Sequence, residues 1–264
     1  MSSVTKSAGL LMVLALAPGA APGQAVTSLD DQIRARTRII ESKQASADDR
    51  LDAQAERGVL FRKTGRFDLA IVDLSEVLRS RPQADDVLVE RGMALKATQQ
   101  ADAAMADFAE ALHINPDHAN ALRQRAAEYR ARGQFADAVG DLNRAIGVDP
   151  KDPWAVSERG LDHFSLRQYA DAIADFTRAL ELTPDSAWTV AFRGAAYYQL
   201  GQYDAALADL NRAVDLDAFD PWPIYIRSLV KRKAGDAAGA DADLTAAVRI
   251  WPDAATGVAR DGIR

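Results

Sequence analysis

Apolar residues recur at helical spacing through most of this chain, in segments punctuated by glycine and proline. The pattern predicts a first helix from Leu51 to Thr64, closed by Gly65, a residue suited to the left-handed conformation that ends helices. A second helix is predicted from Arg66 to about Arg79, stopping before Pro82, which cannot continue it. Each predicted helix has one apolar side, so a hairpin of two still leaves an apolar face uncovered.

The same pattern returns every 34 residues. Gly65, Phe67, Ala70, Asp73, Leu74 and Pro82 become Gln99, Ala101, Ala104, Asp107, Phe108 and Pro116 one step on. Four further steps reach Gly235, Ala237, Ala240, Asp243, Leu244 and Pro252 without insertion or deletion. Six units result, at 51–84, 85–118, 119–152, 153–186, 187–220 and 221–252. Small residues recur on the first helix (Gly58, Gly92, Ala126, Gly160, Gly194, Ser228), and Ala70 begins a matching alanine row on the second. The two rows are expected to face each other and let the backbones approach, with Phe61, Leu95, Tyr129 and Tyr197 filling the adjacent gaps. The uncovered faces then require the units to stack into a solenoid.

A small residue at the eighth place of each unit, an aromatic at the seventeenth, alanine at the twentieth and proline at the thirty-second resemble the tetratricopeptide repeat family over residues 51–252. The resemblance implies an all-α, right-handed superhelix whose first helices line a concave groove. Such grooves tend to hold peptides or protein segments. The family's clamp for chaperone C-terminal tails needs Lys and then Asn four residues later in a first helix. The matching pairs here are Ala55 with Val59, Val89 with Met93 and Arg123 with Ala127, so that partner class is not implied.

Outside the repeats, Lys6, the apolar run Ala8–Ala17 and the small residues that follow have the parts of a secretory signal peptide. The run has half of the roughly 20 residues a membrane span needs. Cleavage is expected near Ala25 or Ala20, with 1–25 as the signal peptide, no transmembrane anchor, and a periplasmic or secreted location. Residues 26–50 are expected to hold a capping helix, Ser28 to Glu41, and a linker. The tail 253–264 is too short for a solvating cap, which leaves the last helix, ending at Trp251, open to a dimer partner, another protein or fraying. The chain has no cysteine, so neither disulfides nor a lipoprotein anchor are available. A net charge of −6 without a basic run argues against binding nucleic acid or an anionic membrane.

Arg57, Arg91, Arg125, Arg159, Arg193 and Arg227 hold one place in the first helix of every unit. Asp73, Asp107, Asp141, Asp175, Asp209 and Asp243 follow sixteen residues later. Beside an apolar stripe both rows should be partly buried and therefore paired, within one hairpin or between neighbours. The competing reading is a multivalent anion site.

Function is sought where the units differ. Groove positions carry Arg62, Lys63, Lys96, Arg123 and Arg130 in the first three units, and Phe164, Phe192, Tyr198 and Tyr225 in the later ones. Trp154, Trp188 and Trp222 replace Asp52, Asp86 and Asn120 near the start of the last three first helices. The groove is thus predicted to be basic at its N-terminal end and aromatic at its C-terminal end, fitting a ligand with acidic and apolar parts. The tryptophans are either ligand anchors or staples onto the preceding loop, with Phe164 and Tyr198 expected toward the groove.

Candidate chemistry is thin. His163 sits at a packing place, while His113 and His118 flank the loop at Pro116 and read as solvated. Asp215, Asp217 and Asp220 lack the Gly and Glu of a calcium loop. Glu56, Glu90 and Glu158 read as a solvated edge. No catalytic residue, metal or cofactor is expected. The function expected is a non-catalytic scaffold binding a peptide or protein segment; the alternative is an accessory domain that binds a small molecule or polysaccharide in the cell envelope.

Overall fold

The computed structural model describes residues 28–252; the expected signal peptide and C-terminal tail lie outside the described residues. Thirteen helices and no strand occur among them. Helix α1 (Leu29–Glu41) precedes six hairpins: α2 (Ala47–Lys63) with α3 (Phe67–Ser80), α4 (Asp85–Ala97) with α5 (Ala101–Ile114), and α6 (Ala119–Ala131) with α7 (Phe135–Val148). Then come α8 (Pro153–Ser165) with α9 (Tyr169–Leu182), α10 (Ala187–Gln199) with α11 (Tyr203–Leu216), and α12 (Pro221–Lys233) with α13 (Ala237–Ile250).

Local chemistry sets the helix ends. Ser28 caps α1 and Ser46 caps α2, each in a reciprocal capping box with the aspartate three residues on. The Ser46 box starts α2 four residues before Leu51, ahead of the repeat frame. At every hairpin turn the chain takes positive φ, at Gly65, Gln99, Gly133, Arg167, Gly201 and Gly235. The next amide reaches back to close the motif, as Arg66 N–H does to the Phe61 carbonyl at 2.8 Å.

Inside each hairpin a large side chain fills the space left by a small one. A Cβ on Gly92 would lie 2.5 Å from Phe108 Cε1, and one on Gly160 would lie 2.9 Å from Phe176 Cε1. Gly58 and Gly194 meet Leu74 and Leu210 in the same way. The small row of the first helix therefore faces the Leu/Phe row of the second, not chiefly its alanine row as the sequence pattern predicted. The alanines from Ala70 to Ala240 are nonetheless fully buried. Phe61 and Leu95 fill buried gaps as expected, while Tyr129 and Tyr197 are half-buried.

Every helix packs against its sequence neighbours, which makes a solenoid. First helices also touch the next first helix, in the pairs α2–α4, α4–α6, α8–α10 and α10–α12. No pair of second helices comes as close, so the first helices line the inner, concave side. The α6–α8 pair is the exception to this approach. On the far side, Arg144, Arg178 and Arg212 each donate to the carbonyl of the proline 28 residues earlier, stitching successive units.

Candidate functional site

The six arginines and six aspartates pair within their own hairpins. Each guanidinium grips its carboxylate with Nε and Nη2, as in Arg57–Asp73 at 2.8 and 2.9 Å and Arg193–Asp209 at 2.7 and 2.8 Å. The aspartate side chains are only 5–10% exposed and the arginines 17–24%. A bidentate bond in such surroundings fixes geometry as well as charge. The bonds to Asp107 and Asp209 push the Arg91 and Arg193 pKa further above the ordinary guanidinium value.

The third guanidinium nitrogen reaches the preceding unit. Arg91 Nη1 donates to Ser75, Arg159 to Asn143, Arg193 to Thr177 and Arg227 to Asn211. Arg57 donates to Thr37 of α1, which thereby takes the place of a second helix. Ala109 stands where Arg125 would find such an acceptor. The row is thus a staple inside and between hairpins, with no guanidinium left for a row of external anions.

The basic end of the groove is also spoken for. Arg62 donates to Glu90 at 2.5 Å, and Lys96 Nζ lies 2.9 Å from Glu128. Arg130 grips Asp162 at 2.6 and 2.9 Å and bonds Glu158 as well. Arg123 bonds Asp152 at 2.7 Å. Each of these cations is neutralised by the next first helix or its N-cap, which corrects the prediction of a basic surface. Lys63 is the member of that set with no ion pair.

Glu90 and Glu158 are accordingly mostly buried partners and not a solvated edge, while Glu56 meets Arg36 near the surface. Glu128 and Asp162 were missed by the sequence reading. They occupy the place of Leu60, Ala94, Ala196 and Val230, and a carboxylate breaking that apolar row was the available signal. Asp162 is fully buried, and that burial pushes its carboxyl above the usual range in spite of Arg130.

Two of the four groove aromatics are interior. Phe164 and Tyr198, expected toward the groove, are 8% and 9% exposed and pack in the core around Phe176 and Leu210. They sit where Arg62, Lys96 and Arg130 sit in earlier units, and oppose Ala196 and Val230 in place of carboxylates. Burial, with Tyr203 and Tyr225 nearby, raises the Tyr198 phenol pKa. Phe192 and Tyr225 are half-buried.

The tryptophans behave differently. Trp154 and Trp188 are 40% and 39% exposed. Arg123 stacks over Trp154, 5.4 Å from its ring centre. Trp188 lies edge-on to Phe176 and 4.5 Å from Phe192, which also stacks on Trp222 at 4.6 Å. Trp154 and Trp222 thus contact the preceding first helix, and Trp188 contacts Phe176 of the preceding second helix and Phe192 of its own helix. A cleft of about 320 Å³ opens between Trp154 and Trp188, with Ser157, Glu158 and Thr189 on its walls.

His118 is not solvated: its side chain is 12% exposed, with Nε2 3.1 Å from Asp86 and Nδ1 accepting the Ala121 amide at the start of α6. The bond to Asp86 raises the imidazole pKa. His163 bonds Gln168 in a mostly buried setting, and His113 is exposed. Asp217 and Asp220 accept the amides of Phe219 and Trp222, a turn and a helix cap. Among the described residues no cluster of acidic residues, histidine or cysteine has a metal-binding arrangement, and no helix is long and apolar enough to cross a membrane.

The tetratricopeptide repeat profile matches residues 55–119, 123–187 and 157–221. No curated protein matches the sequence. Among solved structures, the crystal structure of MamA is 20% identical, with a TM-score of 0.58 over 64% of this chain and 92% of that one. YrrB, described as a TPR protein with an unusual peptide-binding site, is 17% identical, with a TM-score of 0.60 over 68% and 93%. A tetratricopeptide repeat protein from Parabacteroides merdae is 17% identical, with a TM-score of 0.61 over 84% and 88%. These likenesses concern the fold.

Proposed function

The chain belongs to the tetratricopeptide repeat family, and on that footing we propose that it is a non-catalytic scaffold holding a peptide or protein segment against the aromatic half of its concave face. One observation carries this reading. Trp154 and Trp188 keep about two fifths of their surface exposed on the side where first helices converge, beside a cleft, while the charged groove residues around them are paired. Large, rigid aromatics at the centre of a concave surface are what binding hot spots require. The stapled Arg/Asp rows hold that surface still, so little ordering cost falls on association.

A working site in the periplasm or outside the cell belongs to the same proposal, and the leader-like N-terminal sequence supports it. Expression in a bacterium with an intact export system should yield a protein beginning after Ala25 or Ala20; an uncleaved cytoplasmic product would refute it.

The scaffold reading is tested by affinity capture from an envelope extract, with the wild type and a Trp154→Ala/Trp188→Ala variant compared. Both side chains are exposed, so the variant should keep its helical signal and lose the captured partner. A partner retained in full by the folded variant would move the site away from this face.

A further inference from the structure

The cleft between Trp154 and Trp188 has walls that carry charge but offer little of it. Glu158 is held by Arg130, and Arg123, stacked on Trp154, is held by Asp152. Most of the hydroxyl groups are also engaged: Ser157 donates to the Pro153 carbonyl and Ser186 bonds Thr189, while the Thr183 hydroxyl has no hydrogen bond among the described residues. What remains is apolar ring surface, the Thr183 hydroxyl and the indole N–H groups. Among the described residues none of the Trp154, Trp188 and Trp222 indoles has a hydrogen-bond partner. The surface therefore offers donors and flat apolar faces to an uncharged occupant that brings acceptors.

The spacing adds a second constraint. Trp154, Trp188 and Trp222 recur at 34-residue spacing, one near the start of each of the last three first helices. Trp188 and Trp222 both rest against Phe192, which puts their rings within roughly 9 Å of each other, about the distance between packed helices. A polyproline II chain turns once in three residues, rising about 9 Å per turn, and its carbonyls are unpaired. Proline itself has no amide donor to leave unsatisfied.

Building on the scaffold reading above, we propose that the Trp154–Trp188–Trp222 row binds a neutral, extended segment with proline at every third position. One proline enters the open cleft between Trp154 and Trp188. The next rests three residues on, over the platform of Trp188, Phe192 and Trp222. Carbonyls between them accept from the indole N–H groups.

The test follows the indole N–H resonances of the full chain by NMR. The probes are a short neutral peptide with proline at every third position, a peptide of the same composition with its prolines clustered, a proline-free apolar peptide and a neutral β-linked oligosaccharide. The periodic peptide should shift the Trp154 and Trp188 signals saturably. Trp154→Ala should weaken it about tenfold, and Phe219→Ala, on an exposed loop, should leave it unchanged. Trp188→Phe keeps a ring in place and removes only the donor, so it should weaken binding less than Trp188→Ala. Equal binding of the proline-free or clustered peptide would overturn the periodic-proline proposal and leave the scaffold reading standing. Oligosaccharide binding at the same indoles, with no peptide bound, would overturn both. Silence of all probes, with partner capture still dependent on the two tryptophans, would overturn the proline proposal alone.

Discussion

Gly92 offers a quantitative test of how the hairpins are packed. Replacing it by alanine puts a methyl carbon 2.5 Å from Phe108 Cε1 and 3.0 Å from both Cδ1 and Cζ. Ordinary contact begins at 3.4 Å, so the ring must retreat by about 1 Å from a site where it is fully buried. Overpacking of this kind costs roughly 1–3 kcal/mol, while alanine in place of glycine inside a helix gains about 1 kcal/mol. The clash should win, with Gly92→Ala net destabilising by about 1 kcal/mol. The third unit supplies the remedy, since Ala126 and Leu142 stand at the corresponding places, both fully buried. Phe108→Leu alone should cost about 1 kcal/mol of lost burial. In the double variant the smaller leucine can settle as Leu142 does against Ala126, which eases the clash, and the cycle should show favourable coupling of about 1 kcal/mol or more. Urea unfolding followed by circular dichroism gives the energies. Hydrogen exchange in α4 and α5 localises them, because stacked repeats need not unfold in one step. A stabilising Gly92→Ala, or effects that add within about 0.5 kcal/mol, would refute the packing account.

Three further outcomes are expected. Gln99 and Arg167 hold the positive φ that glycine supplies at the other turns, and left-handed backbone costs a non-glycine residue roughly 1–2 kcal/mol. Gln99→Gly and Arg167→Gly should therefore each raise the thermal midpoint, and a lowered midpoint would show that the side chains matter more than the backbone. A double-mutant cycle on Arg159 and Asp175 should give coupling of roughly 1–3 kcal/mol, whereas Arg159 with Asp141 of the preceding unit should be additive; equal coupling in both cycles would contradict the pairing within one hairpin. At Asp243 burial opposes ionisation, but the bonds from Arg227 and Lys231 outweigh it and hold the pKa below its ordinary value. A lowered folded pKa contributes stability above the unfolded value of about 3.9, and that contribution is lost as pH falls through the folded value. The stability gap between wild type and Asp243→Asn should thus be full at neutral pH and shrink only below about pH 4; a gap that shrinks on raising the pH would reverse the sign.

Repeat number, turn positions and the Arg/Asp rows were legible because each is written six times, and a signal repeated in register survives local variation. The pairing of rows was less legible. Gly58 and Ala70 both recur, but recurrence says only that two places are constrained, and it was the Leu74 side chain that lay across from the glycine. His118 was misread for a related reason. It lies at a loop in sequence, yet its partner Asp86 is 32 residues away at the start of the preceding first helix, where chain position carries no information about exposure.

The groove shows the same limit more sharply. One row runs Arg62, Lys96, Arg130, Phe164, Tyr198 and invites a description as a surface that changes from basic to aromatic. In the fold, that row presses against the next first helix. Its charged members meet Glu90, Glu128 and Asp162, and its aromatic members meet the row that holds Ala196 and Val230. Burying an unpaired charge costs several kcal/mol, so each cation finds a carboxylate on the next first helix, Glu90 one turn before Ala94 in one case and Glu128 and Asp162 in that row itself in the others. A change from cation to aromatic that is matched by a change from carboxylate to aliphatic in the next unit therefore marks a contact between repeats. The tryptophan row also gives up partners, since Arg81 holds Asp52 and His118 holds Asp86, but where Trp154, Trp188 and Trp222 take over, two of the rings stay well exposed. Retained exposure, and not aromatic content, is what separates a candidate binding row from an inter-repeat seam in this solenoid.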